Sequence, residues 1–259
     1  MDKQGLFKFS FGCEAGEISE DVIITPFVPL KRFHKYCTVK ASFSGRMYSS
    51  FTGERSGKKF SVIHCGMGDR FLGDAILLLE TAKVERILFV GACGGLGDLG
   101  IGDIFVAENA FDGEGFTRYH KNGFDLDNIF NAGSLTGSDE GYTGLLRAFL
   151  SKRPRNENNV KYGNVFTIGS ILAELDTTLQ RIEAKGFKGV ELEWSAVYHA
   201  AKSAGIKASA LLFVSDLPLS KPLWGEMALF DKLVLKNSTE KVIKLGVEFV
   251  SYELPATSH

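Results

Sequence analysis

The 259-residue chain lacks the features that would assign it at once to several classes of protein. It has four cysteines, Cys13, Cys37, Cys65 and Cys93, and no two of them form a C-x-x-C pair. No cluster of Cys and His has the spacing of a zinc ligand set, so no metal is expected. The opening "MDKQGLFKFSFGCEAGE" has no continuous apolar stretch of the secretory kind. No apolar run approaches the ~20 residues needed to cross a membrane. An excess of charge is also missing. Thirty Lys and Arg stand against 31 Asp and Glu, a formal net charge of −1. That offers no global pull toward nucleic acid or an anionic membrane. The dense basic run Lys152-Arg153-Pro154-Arg155 reads as a solvated loop. There is no internal repeat and no low-complexity linker. These absences imply a cytoplasmic protein with reduced thiols and neither nucleic-acid nor membrane partners.

What is present is a regular alternation of strand and helix signals. "DVIIT" (21–25), "RILFVGA" (86–92), "DIFVAENA" (103–110), "VKYGNVFTIG" (160–169) and "KASALLFVSD" (207–216) read as strands. "MYSSFTGERSGKKFSVIHC" (47–65) reads as a hairpin around a turn containing Glu54, Arg55, Ser56 and Gly57. Phe71, Leu72, Ala75, Ile76 and Leu79 share one helical stripe over 69–85. Further helices are expected at 141–152, at 176–186 behind an Asp cap, and at 194–205, with one or two more closing the chain. The pattern predicts a single domain over 1–259, with residues 1–20 as an N-terminal extension. Its class is α/β, with a mixed, mostly central sheet.

Gly95-Leu96-Gly97-Asp98-Leu99-Gly100 fits G-x-G-x-x-G. A dinucleotide loop must open into a helix that holds the pyrophosphate. Here a strand-like run follows instead, which argues against such a cofactor. Gly91, Gly94 and Gly95 suit a strand end that a ligand approaches closely. "VIHCGMGD" (62–69) repeats the form, so the two loops suggest one pocket. Glu191 and Glu193 in "GVELEW" stand just before a helix. They are either partners of its dipole or carboxylates for vicinal hydroxyls. Ser215-Asp216 ends a buried strand, where Asp216 is either a turn cap or a general acid tuned by burial.

Taken together, "SSFTGERSGKKFSVIHCGMG", "ILFVGACGGLGDLGIGDIFVAENAFDG", "GVELEWSAVYHAAKSAG" and "ALLFVSD" resemble the nucleoside phosphorylase superfamily in order and spacing, from about residue 21 to about residue 250. The resemblance implies an α/β/α sandwich fold, and it implies roles for particular residues. Glu193 is similar to the glutamate that binds the ribose 2′ and 3′ hydroxyls, with Glu191 its neighbour. Met67 resembles the methionine under the sugar. Asp216 resembles the aspartate that protonates purine N7, which tilts the reading toward a purine. Ile171 and Leu172 fall near the family's base-stacking position, with Gly94 and Ser215 beside the base. Lys31, Arg46, Gly91 and Ala92 occupy the positions of the phosphate contacts, with phosphate as co-substrate and no other cofactor. Arg46 matches an arginine lent by a neighbouring subunit, so a homodimer or homohexamer is implied.

The departures from the family pattern are local. Its P-G-D-P-L-R loop reads Pro26-Phe27-Val28-Pro29-Leu30-Lys31 here, and lysine lacks the bidentate fork of arginine. Its R-V-G-S-C-G reads Phe89-Val90-Gly91-Ala92-Cys93-Gly94, without the arginine or the hydroxyl. The arginine that assists the catalytic aspartate has only Lys221 as a distant counterpart. The water-activating glutamate of the nucleosidases is absent from position 31. The expected activity is N-glycosidic cleavage of a purine-type nucleoside by phosphorolysis. The alternatives are hydrolysis and a non-catalytic nucleoside-binding protein. The segment 118–141 has no counterpart, and His64 is the histidine nearest the proposed pocket.

Overall fold

The structure, a computed structural model, describes residues 2–115, 126–154 and 160–252. In chain order its elements are α1 (Lys3–Phe11), β1 (Asp21–Thr25), β2 (Thr38–Ser44), β3 (Ser49–Arg55), β4 (Lys58–His64), α2 (Asp69–Leu79), β5 (Arg86–Gly95), β6 (Ile104–Gly113), α3 (Leu126–Ala132), β7 (Leu135–Gly137), α4 (Glu140–Ser151), β8 (Val160–Ile168), α5 (Asp176–Ala184), β9 (Gly189–Glu191), α6 (Trp194–Ser203), β10 (Lys207–Asp216) and α7 (Leu229–Val250).

The strands join in one mixed sheet of order β10-β6-β8-β9-β5-β1-β4-β3-β2, with β7 on β6. β10 also pairs in parallel with β5, from Lys207 opposite Arg86 to Asp216 opposite Gly94. This second pairing closes β5, β10, β6, β8 and β9 into a ring, and β1, β4, β3 and β2 extend from it as an open wing. The central strands are apolar on both faces because helices cover both. Along β5, Ile87 and Phe89 join the cluster under α2 and α6, while Leu88 and Val90 join the one under α4 and α7. Period-two alternation thus sends neighbouring side chains to opposite layers. The result is the expected α/β/α sandwich with a central mixed sheet.

Most strand bounds agree with the sequence pattern, and β1 and β10 do so residue for residue. Gly95 to Gly100 spans a turn between β5 and β6 with no helix after it. Several expectations are corrected. Within the N-terminal extension, residues 3–11 pack into the core: Phe7 and Phe11 are fully buried in the same cluster as Val22 and Ile24. Their rings stack at 4.5 Å, and Phe11 meets Tyr48 at 4.8 Å. Asp176 is the first residue of α5 rather than its cap, a position held by Leu175. The chain closes with one long helix. β2 was not expected, because it is an edge strand whose residues alternate between exposed and half-buried. β7 and α3 were not expected either; both fall in the segment without a counterpart, of which residues 118–125, with His120, lie outside the described residues.

Candidate active site

The C-terminal ends of β5, β9 and β10, with the loop after β4, converge on a cavity of about 450 Å³. Ligands of α/β sheets bind at such strand ends. A second cavity of about 550 Å³ adjoins it, with Met67, Ile171 and Leu192 on both walls. The second cavity also reaches Asp69, Arg70 and Glu114.

Two glutamates enter from the β9–α6 junction. The strand stops at Glu191. Glu193 lies beyond it as the residue before α6, and both still line the cavity. Glu191 is fully enclosed. It accepts hydrogen bonds from Thr167 Oγ1, from the Trp194 N–H and, at 2.7 Å, from the Glu193 N–H. These bonds make it the anchor of the α6 N-terminus. Glu193 Oε1 accepts from the Gly68 N–H at 2.9 Å. Gly68 has φ +111°, a conformation open to glycine, and this turns its N–H toward the carboxylate. Burial first, and then the Glu191 charge, push Glu193 up to about 8.

Asp216 closes β10. Its Oδ1 accepts from Ser215 Oγ at 2.7 Å and its Oδ2 from the Leu223 N–H at 3.0 Å. Ser215 Oγ also lies 3.2 Å from the Cys93 carbonyl. Burial raises Asp216 above its ordinary value, and the two hydrogen bonds oppose that shift. Met67, 64% exposed, sits at the shared edge of the two cavities, as a residue under a ligand must. Ile171, Gly94 and Ser215 line the first cavity, while Leu172, 77% exposed, lines only the second.

The residues expected to hold phosphate are less gathered. Ala92 lines the first cavity, but Gly91 is buried within β5, where an added Cβ would meet the Phe89 ring at 2.7 Å. Lys31 and Arg46 are exposed and on neither wall. Phe27 lines the first cavity and meets Phe213 edge-on, with ring centroids 6.2 Å apart. Phe89 points away into the core, its ring centroid 5.7 Å from that of Trp194. Lys221 is engaged by Asp231 at 2.8 Å. His64 ends β4 half-buried and lines neither cavity, and His199 is exposed, 2.9 Å from Thr136 Oγ1.

Two carboxylates were missed in the sequence. Glu174 lines the first cavity, pushed up to about 7 by burial and then by the Asp216 charge. Glu114 lines the second and accepts from Ser195 Oγ; burial pushes it up to about 7. Neither stands in a distinctive pattern, and the recognised stretch nearest Glu114 ends one residue before it, at Gly113. Among the described residues, no group of three or more His, Cys, Asp or Glu is arranged to hold a metal ion.

The fold and site define an α/β protein with an acidic small-molecule pocket at the carboxyl ends of its strands. Residues 22–251 match the family model described as the phosphorylase superfamily, and the chain belongs to that superfamily. It is 28% identical over 244 residues to a DeoD-type purine nucleoside phosphorylase of Bacillus velezensis, covering 92% of this chain and 97% of the relative. It is 26% identical over 215 residues to a DeoD-type enzyme of Latilactobacillus sakei, covering 78% and 84%. The crystal structure of uridine phosphorylase from Vibrio fischeri ES114 superposes with a TM-score of 0.75 at 19% identity, covering 91% of this chain and 93% of that one. At that identity the likeness is one of fold.

Proposed function

We propose that the protein cleaves the N-glycosidic bond of a purine-type nucleoside and passes the glycosyl group to phosphate. The observation that carries this reading is Asp216, enclosed at the end of β10 in the same cavity as Glu193. The C1′–N9 bond breaks and its electron pair goes to the base, while Asp216 gives its proton to N7. A phosphate oxygen then bonds to C1′, and the proton released by phosphate restores Asp216. Burial helps to keep Asp216 protonated, and general acid catalysis is typically worth about 10²–10⁴-fold. Glu193 orients the ribose through its hydroxyls, and Met67 packs beneath it. Gly94, Ser215 and Ile171 border the base, with Leu172 at the outer edge. Lys31 and Arg46 supply the phosphate charge. Arg46 does so for a neighbouring subunit, so the active unit is a homodimer or a larger assembly of dimers.

One observation favours a second reading, hydrolysis. Among the described residues, the charged groups lining the first cavity are Glu174, Glu191, Glu193 and Asp216, with no Lys or Arg. Phosphate would meet like charge there, whereas water would not. Release of base from a small panel of nucleosides, with and without phosphate, separates the two. Strict dependence on phosphate is expected, and equal rates without it would establish hydrolysis. Asp216→Asn is expected to slow release at least ~tenfold. A wild-type rate would remove Asp216 from the mechanism. Sedimentation alongside activity tests the assembly, and a fully active monomer would refute it.

A further inference from the structure

Asp216 and Glu174 line the same cavity. Glu174 follows the single helical turn Ile171–Ala173. Each Asp216 oxygen takes a hydrogen bond from the protein. The Glu174 carboxyl takes none among the described residues, although the residue is half-buried. Its hydrogen-bonding capacity is therefore left for a ligand. Glu191 is saturated by its three donors, and Glu193 is held by Gly68 toward the other end of the site. With no Lys or Arg among the described residues of the cavity wall, two ionised carboxylates facing one small space repel each other. Such a pair retains one proton between its members. In keeping with this, both groups are raised above their ordinary values.

A carboxyl beside a carboxylate offers one donor and one acceptor. The two edges a purine can present differ in the same terms. Adenine shows an N7 acceptor next to a 6-amino donor, whereas a 6-oxopurine shows two adjacent acceptors, N7 and O6. Resting on the purine reading above, we propose that Glu174 determines base specificity: it accepts a hydrogen bond from the 6-amino group while Asp216 meets N7. The site then selects 6-aminopurine nucleosides over 6-oxopurine nucleosides, whose O6 would face the Glu174 carboxylate acceptor to acceptor.

The test compares kcat/KM for adenosine and inosine in the wild type and in Glu174→Gln, whose amide can turn its NH₂ toward O6. Adenosine is expected to be preferred by the wild type about tenfold or more, in line with discrimination by paired base-edge contacts. Glu174→Gln is expected to erase or invert that ratio. A wild type that prefers inosine, or a ratio that Glu174→Gln leaves unchanged, overturns the proposal. Calorimetric titration of both proteins with free adenine and hypoxanthine needs no turnover. Selective adenine binding lost in Glu174→Gln, without cleavage of either nucleoside, would uphold the specificity role and refute the cleavage reading. Equal binding of the two bases by the wild type would refute the specificity role.

Discussion

At the scale of single residues, the site is a set of carboxylates kept out of water. Glu114, Glu174 and Glu193 are pushed up to about 7, 7 and 8 from an ordinary value of 4.5, by burial before anything else. Each therefore binds its proton more tightly in the folded chain than in the unfolded one. The stability this contributes is complete below the unfolded value and is lost as pH rises through 7 to 8. The melting temperature of the ligand-free protein is expected to fall between about pH 5.5 and pH 8.5. Glu193→Gln keeps an acceptor for the Gly68 N–H but removes the titration, so its profile should be flatter over the same range. Parallel profiles from calorimetric melting would show that Glu193 titrates normally.

At the scale of elements, β5 carries two assignments on alternate residues. Ala92 and Gly94 open onto the cavity, while Phe89 packs on Trp194 beneath it. The phosphate arginine that the family places at position 89 therefore has no direct substitute here: this side chain belongs to the core. Phe89→Ala is expected to cost about 3–5 kcal/mol in denaturant unfolding, the usual range for emptying an aromatic core site. Phe89→Arg would bury a charge against an indole and should unfold the protein rather than restore a phosphate contact. A soluble, equally stable Phe89→Arg variant would contradict this placement. The helices depend on local chemistry of another kind. Asp139 accepts from the Tyr142 N–H at 2.7 Å and caps α4. Asp139→Ala should cost about 0.5–2 kcal/mol by the same measurement, without altering the proposed nucleoside cleavage.

At the scale of the whole molecule, α1 is part of the core. Phe7 and Phe11 fill the cluster shared by β1, α2 and α6. Phe7→Ala is expected to cost about 3–5 kcal/mol despite its distance in sequence from every site residue. A cost below about 1 kcal/mol would return α1 to the status of an appendage. The ring through β5, β10, β6, β8 and β9 has a similar role. It brings the ends of β5 and β10 together, so Gly94 and Asp216 face each other in register. Helices large and apolar enough to span a membrane are absent among the described residues.

The sequence by itself determined the elements with strong local patterns and the family to which they belong. Alternation and helical periodicity report which face of a segment is buried, and that signal is complete within a few residues. So β1, β5, β10 and α6 were legible, and the motifs singled out Glu193, Asp216 and Met67, which line one cavity. β2 was not, because an edge strand alternates only between exposed and half-buried positions. Only the tertiary structure decided that α1 enters the core, that Phe89 turns from the cavity, that Lys31 and Arg46 stay outside its walls, and that Glu174 joins Asp216. These are meetings between segments far apart in the chain. They follow from strand register and layer packing, which no local pattern encodes.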